Sequence, residues 1–344
     1  MSASEQPELE PELLQAVQAE LERTLLGGER RYTQRESADL AGVDFERAQR
    51  LWQALGFTVD PDPDARTFTD GDVAALRNID AIVASGALHP DLELAAARSL
   101  GQSMSRLAEW EVALMNTHIL DRLETEYTGT TPSEREIRSF VDELLQRVLP
   151  LTETLQLYVW RRHLAATTGR NVVRAGGESA GRVLVVGFAD MVGYTRLTRR
   201  IDADELNDLL EDFESTATGI VTQGGGWVIK TVGDEVMFAA EDPADAARIA
   251  LALQESSGSR PDAPDLRVGM AQGPVLARFG DVFGSAVNIA ARLTGAARPG
   301  TVLVDSTLAG VLDGDDRFRL RPLRALRVKD FHRLRPSVLR PAQD

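Results

Sequence analysis

The sequence predicts two domains of different class, an all-α first half and an α+β second half of the ferredoxin-like kind. Three observations carry this. Apolar residues recur at helical spacing through the first half, from Leu13 to Ala166. Thr167 to Gly181, T-T-G-R-N-V-V-R-A-G-G-E-S-A-G, is glycine-rich and polar, the composition of a joint. From Val183 onward, strand-like runs alternate with helical ones and hairpins fall among them. The boundaries follow: a helical domain over residues 1–166, a linker over 167–181, and the α+β domain over 182–344.

Length and composition agree. At 344 residues the chain is long enough for two domains at ~100–200 residues each. Its 43% hydrophobic and 26% charged residues are ordinary for a globular protein. No apolar run approaches the ~20 residues of a spanning helix. The acidic start M-S-A-S-E-Q-P-E lacks the basic and apolar regions of a signal peptide, so a cytoplasmic location is expected. There is no cysteine, which excludes disulfides and thiolate chemistry. A net charge of −15 repels nucleic acid and anionic membrane at long range. It leaves room for an anionic nucleotide where charge is locally positive.

In chain order, Leu13, Leu14, Val17, Leu21 and Leu25 mark a first helix, stopped by Gly27 and Gly28. Tyr32 to Ile82 reads as a helix-turn-helix followed by a Thr-Asp-capped helix, and resembles the start of MerR-type winged-helix regulators. Arg47 and Arg50 are its candidate basic face. Glu46, Asp60, Asp62, Asp64, Asp70 and Asp72 surround them, so a packing module is favoured over DNA binding. Two long helical patterns follow, Leu92 to Leu123 and Ile137 to Leu151, the second opened by Ser133 and Glu136 as a capping box. The aromatic-aliphatic run L-Q-L-Y-V-W-R-R-H-L-A-A continues to Ala166 and reads as core or a dimer seam.

In the second half, Val183 to Val186 is a buried strand that stops at Asp190, with Gly193 turning the chain. Trp227 to Phe238 is a hairpin with Asp234 at its tip. Two aspartates on adjacent strand ends can share a hard cation such as Mg²⁺, although Gly-Asp taken alone is turn chemistry. Further helices are expected over 204–220, 243–254 and 285–296, and strands over 266–271 and 301–304. Asn288 and Arg292, four apart, project from one helix face. Only two lysines occur, Lys230 and Lys329, and the other basic side chains are arginine. An ammonium at 230 suits donation along one line, which a planar guanidinium does not reproduce.

The blocks V-L-V-V-G-F-A-D-M-V-G-Y, I-K-T-V-G-D-E-V-M-F and G-D-V-F-G-S-A-V-N-I-A-A-R together resemble the class III nucleotidyl cyclases, over about Arg182 to Leu320. By that resemblance Asp190 and Asp234 hold two Mg²⁺ or Mn²⁺ ions, and Lys230 and Asp281 read adenine. Asn288 orients the ribose and Arg292 steadies the transition state. All six positions carry the adenylyl-type residue; a guanylyl enzyme is expected to show Glu at 230 and usually Cys or Ser at 281. The implied reaction is ATP to cyclic AMP and pyrophosphate, in a homodimer whose sites take residues from both subunits. The C-terminal V-K-D-F-H-R-L-R-P resembles that family's edge strand.

A helical half joined to such a cyclase resembles the autoinhibited, pH-responsive adenylyl cyclases of mycobacteria. Of His89, His118, His163 and His332, His163 stands just before the junction and is the candidate sensor, with an ordinary surface histidine as the alternative. Three competing readings stand beside this one. They are a helix-turn-helix transcription regulator, a catalytically weak nucleotide-sensing homologue, and a diguanylate cyclase prompted by V-G-D-E-V. Charge weighs against the first and the six intact positions against the second. The V-N-I-A-A-R helix weighs against the third.

Overall fold

The computed structural model describes residues 21–58, 60–126, 133–172, 182–258, 264–278, 280–328 and 331–342. Leu13, Leu14, Val17, Thr131, Pro132 and Lys329 fall outside these, as does 173–181, most of the expected linker. The chain divides into two compact units, Met1–Ala175 and Gly176–Asp344.

The described part of the first unit is mainly helical. Its described part opens on helix α1 at 21–25, ended by Gly27 at φ 72°. Helices α2 (Gln34–Ala41), α3 (Phe45–Leu55) and α4 (Asp70–Ala84) follow. Thr33 and Thr69 each close a capping box, with Glu36 and Asp72, satisfying amides that a helix start leaves bare. Gly42 and Gly56 take the left-handed conformation that ends α2 and α3. Leu51, Trp52 and Leu76 are fully buried between these helices, with Ala97 of the next.

Helices α5 (Glu93–Glu126), α6 (Glu134–Glu143) and α7 (Leu149–Val172) complete the unit, with a wider π turn at Leu144–Val148 between α6 and α7. Helix α7 continues through Thr167 to Val172, so the polar start of the expected linker is helical. A single glycine there, Gly169, lowers helix propensity without ending the helix. Leu151, Leu155, Tyr158, Trp160 and Leu164 of α7 are exposed.

The second unit is an α+β domain with a sheet of order β2-β3-β1-β4-β6-β10-β7, and β5 paired to β4. Its strands are β1 (Arg182–Met191), β2 (Trp227–Val232), β3 (Glu235–Ala240), β4 (Leu266–Arg278), β5 (Asp281–Phe283), β6 (Thr301–Val304), β7 (Phe318–Pro322) and β10 (Ser337–Pro341). Among the described residues, only β4 and β6 pair in parallel. The short strands β8 (Leu326–Val328) and β9 (Phe331–Leu334) form a separate hairpin. The expectation that V-K-D-F-H-R-L-R-P supplies an edge strand is corrected here. That segment's strand β9 pairs with β8 outside the main sheet, whose two outer strands are β2 and β7.

Helices α8 (Tyr194–Leu197), α9 (Ala203–Gln223), α10 (Pro243–Gly258), α11 (Ser285–Ala296) and α12 (Ser306–Leu312) complete it. The alternation of strand side chains sorts the core into two layers. Val185, Ala189, Val236, Phe238, Val268 and Met270 face α9, α10 and α12. Leu184, Val186, Phe188, Met237, Ala271 and Val275 face α11. Each of the larger of these side chains contributes roughly 1.5–3 kcal/mol on leaving water, before entropy is counted.

Glycine sets how closely α11 approaches. A Cβ at Gly269 of β4 would run into the Ala290 carbonyl and the Thr294 amide of that helix. Thr294 Oγ1 also donates to the Phe188 carbonyl of β1 at 3.3 Å. Helix and sheet therefore meet backbone to backbone.

Candidate active site

The site is laid out on the α11 face of the sheet. Asp190 closes the even-numbered row of β1 that includes Leu184, Val186 and Phe188, so it shares their face. It is registered with Glu235 on β3 and with Arg267 on β4. Cross-strand neighbours on one face lie about 5 Å apart at Cβ, which sets an acid–acid–base row across three strands.

Asp190 is 9% exposed. Arg267 Nε donates to its Oδ2 at 2.5 Å, and a second guanidinium nitrogen meets the same oxygen. Asp234 sits in the two-residue turn between β2 and β3, where Gly233 has φ 59°. The Met191 amide donates to the Asp234 carbonyl at 3.0 Å, which ties the hairpin tip to the end of β1.

The electrostatics at this corner are unbalanced. Burial pushes the Asp234 carboxyl up, and the nearby Asp190 charge pushes it further. Glu235 is raised by the same two causes in the same order. Three carboxylates thus crowd one strand end, with Arg267 as the cation beside them.

A second group lies on the same face. Lys230 is registered with Met237 across β2 and β3. Its Nζ donates to Asp281 Oδ2 at 2.6 Å, joining residues 51 positions apart. Asp281 begins β5, and its Oδ1 accepts the Val282 amide at 2.8 Å. That local bond points the other oxygen at the ammonium.

Helix α11 carries the third group. Gly284, at φ 150°, turns the chain from β5 into the helix, and a Cβ there would strike the Pro274 carbonyl. Ala286, Ala290, Leu293 and Thr294 are buried against the sheet. Asn288 and Arg292 fall on the opposite, exposed side. Within one chain the structure therefore brings together Asp190 with Asp234, and Lys230 with Asp281. Asn288 and Arg292 are presented outward as a pair.

Two protein families match the two halves of the chain. Residues 178–336 match the adenylate and guanylate cyclase catalytic domain, and residues 6–166 the adenylate cyclase regulatory domain. An adenylate cyclase of Streptomyces coelicolor is 45% identical over 291 residues, spanning 84% of this chain and 74% of that protein. The chain belongs to the class III adenylate cyclases. An adenylate cyclase of Glutamicibacter nicotianae is 36% identical over 344 residues, 96% of this chain and 83% of that one. A pH-sensitive adenylate cyclase of Mycobacterium tuberculosis is 34% identical over 300 residues, covering 84% and 72%.

The corner of this cyclase at Asp190 and Asp234 fits a divalent cation. Its donors are hard carboxylate oxygens on adjoining strand ends, a chemistry that suits such an ion, and the Asp234 carboxyl is raised first by burial and then by the nearby Asp190 charge. Sequence reasoning missed two residues here. Arg267 is one arginine among many, and only the sheet register brings it to Asp190, 77 positions away. Glu235 follows Asp234 directly, and strand alternation could have placed it on the Asp190 face.

His163 lies on α7 with its side chain exposed. Arg47 is not a free basic residue: it binds Glu93 through Nε and Nη2, and Asp80 through Nη1 at 2.6 Å. Among the described residues, no helix is long and apolar enough to cross a membrane.

Proposed function

We propose that this cyclase converts ATP to 3′,5′-cyclic AMP and pyrophosphate at a site shared between two copies of the chain. The carrying observation is the Lys230–Asp281 pair. An ammonium and a carboxylate at 2.6 Å, on the face that also carries Asp190, offer one donor and one acceptor to a purine edge. Adenine presents a ring-nitrogen acceptor and an amino donor, which such a pair matches. Guanine would leave both groups facing the wrong partner, and buried mismatches of that kind are costly.

In the reaction, the ribose 3′-oxygen bonds to the α-phosphorus and the bond to the pyrophosphate oxygen breaks. Asp190 and Asp234 would hold two Mg²⁺ or Mn²⁺ ions, which when bound supply Lewis-acid charge to the attacking oxygen and the phosphates. Arg267, already at Asp190, keeps positive charge beside the phosphate chain. Asn288 orients the ribose, and Arg292 meets the negative charge that grows on phosphorus and on the leaving oxygen.

Asn288 and Arg292 are exposed on α11, and Asp190 lies on the sheet face that α11 covers, with Asp234 in the adjoining hairpin turn. Two copies facing each other would let each outward pair complete the other's metal corner. That geometry supports a homodimer with two sites.

The helical unit, residues 1–166, is read as the regulatory part and 167–181 as the segment that transmits its state. The resemblance to a pH-sensitive relative supports pH-gated autoinhibition, with the exposed His163 as sensor.

The test is cyclic AMP formation by the purified chain with ATP and Mg²⁺ or Mn²⁺, from about pH 5.5 to about pH 8, spanning the histidine range. Product that rises as pH falls supports catalysis and gating together. Product at a level independent of pH retains catalysis and removes the gate. No product with either metal would favour a nucleotide-sensing homologue.

A further inference from the structure

Arg182 opens β1 at the end opposite Asp190 and on the same face of the strand. At about 3.3 Å per residue the two lie roughly 26 Å apart. The Arg182 guanidinium pairs with the Glu241 carboxylate, which follows the last residue of β3. It also lies over the Trp227 ring, 5.4 Å from its centroid, at the first residue of β2. One side chain thus spans the near ends of β1, β3 and β2, which are neighbours in the sheet.

The hairpin so gripped is the one that carries Lys230 and Asp234. Strand β2 is the outer strand, so ladder hydrogen bonds hold it on one side only. Its pairing is regular at Trp227 and Val228, shifts, and resumes at Lys230. A shift of that kind leaves a residue unpaired and lets the strand bend locally. The direction in which Lys230 leaves β2 therefore depends on how the preceding residues are held. Trp227 is the first of them, and the guanidinium over its ring is a planar cation suited to an aromatic face.

From this we infer that Arg182 is a positioning residue for nucleotide recognition: its grip on Trp227 and Glu241 fixes the root of the β2–β3 hairpin and thereby the place of Lys230. The inference rests on the reading of Lys230 as a base contact. Arg182 acts only through the hairpin and touches no substrate.

The experiment is steady-state kinetics of the full chain with ATP and with GTP, for Arg182→Gln and Trp227→Leu, with thermal midpoints and Mn²⁺ dependence measured alongside. A misplacement near 1 Å is enough to cost roughly ten- to a hundred-fold. The expected result is a rise of about tenfold in KM for ATP and a comparable fall in the ATP-over-GTP preference, with Mn²⁺ dependence unchanged. The exchanged pair Arg182→Glu with Glu241→Arg recovers part of that preference.

A fall in kcat and thermal midpoint together, at constant KM and constant preference, would overturn the inference and leave Arg182 a fold-stabilising residue. Unchanged kinetics in both variants would overturn it as well. Lys230→Glu serves as the control. If it alters the preference and the Arg182 and Trp227 variants do not, this inference fails alone. If it leaves the preference intact, the inference fails together with the reading of Lys230.

Discussion

Arg267 and Asp190 face each other across β4 and β1 and are joined by a 2.5 Å hydrogen bond, so the expected metal ligand already has a cationic partner. A divalent ion arriving at Asp190 competes with that guanidinium. Arg267→Ala should therefore tighten Mn²⁺ binding without nucleotide, read as a larger metal-induced rise in thermal midpoint. It should also cut turnover by roughly a hundredfold, since one cation is lost beside the phosphates. Unchanged turnover would show that the pair serves the sheet alone.

Asp234 has a raised carboxyl in the folded state, above its unfolded value. For an acid shifted this way the ionised form is the disfavoured one. Stability is greatest below the unfolded carboxylate range and declines as pH rises through the folded value. In metal-free protein at neutral pH, Asp234→Asn removes that penalty. It is expected to raise the thermal midpoint by about 2 °C or more while abolishing cyclic AMP formation. A lower midpoint would mean that the carboxylate is structurally required.

The outward position of Asn288 and Arg292 bears on assembly. Asp190→Ala and Arg292→Ala are each expected to be inactive. Mixed in equal amounts and allowed to exchange, they form heterodimers with one intact site, and activity should return to about a quarter of the wild-type level. A mixture that stays inactive while heterodimers are present by mass measurement excludes the shared site.

Base choice is expected to follow the Lys230–Asp281 pair. The double change Lys230→Glu and Asp281→Cys should lower kcat/KM for ATP by roughly a hundredfold and raise it for GTP. Asp281→Asn alone removes the charge partner of Lys230, and its loss of ATP preference should be smaller.

In the helical unit, Arg47 joins α3 to Glu93 at the start of α5 and to Asp80 of α4. The Glu93 side chain is 9% exposed, so removing its partner strands a carboxylate largely out of water. Arg47→Ala should destabilise this unit by about 2 kcal/mol, visible as an earlier unfolding transition by circular dichroism. A gel shift that weakens in proportion to Arg47 loss would instead support DNA binding by this face.

Much of this was legible locally. Asp190 near the end of β1, the Gly233–Asp234 turn and the span of α11 all announce themselves within a dozen residues. Each depends on a period or a turn that neighbouring residues enforce. What was not legible depends on register between distant strands. Strand β4 runs on past Ala271 to Arg278 because β1 and β5 pair with it, although Gly273-Pro274 in its own sequence reads as a stop. Arg267 has no spacing signal in an arginine-rich chain, and only the ladder brings it to Asp190. The C-terminal segment misled because β8 and β9 look like strand and are strand, but pair with each other.

The seating of α11 on Gly269 has a consequence for how this enzyme tolerates change. Its distance from the sheet is set by main chain against main chain, with the Thr294 hydroxyl alongside bonded to the Phe188 carbonyl. Apolar residues elsewhere under the helix can be exchanged for others of similar volume without lifting it. The core is thus free to drift over generations while Asn288 and Arg292 keep their height above the sheet. Replacement of that one glycine would move both at once.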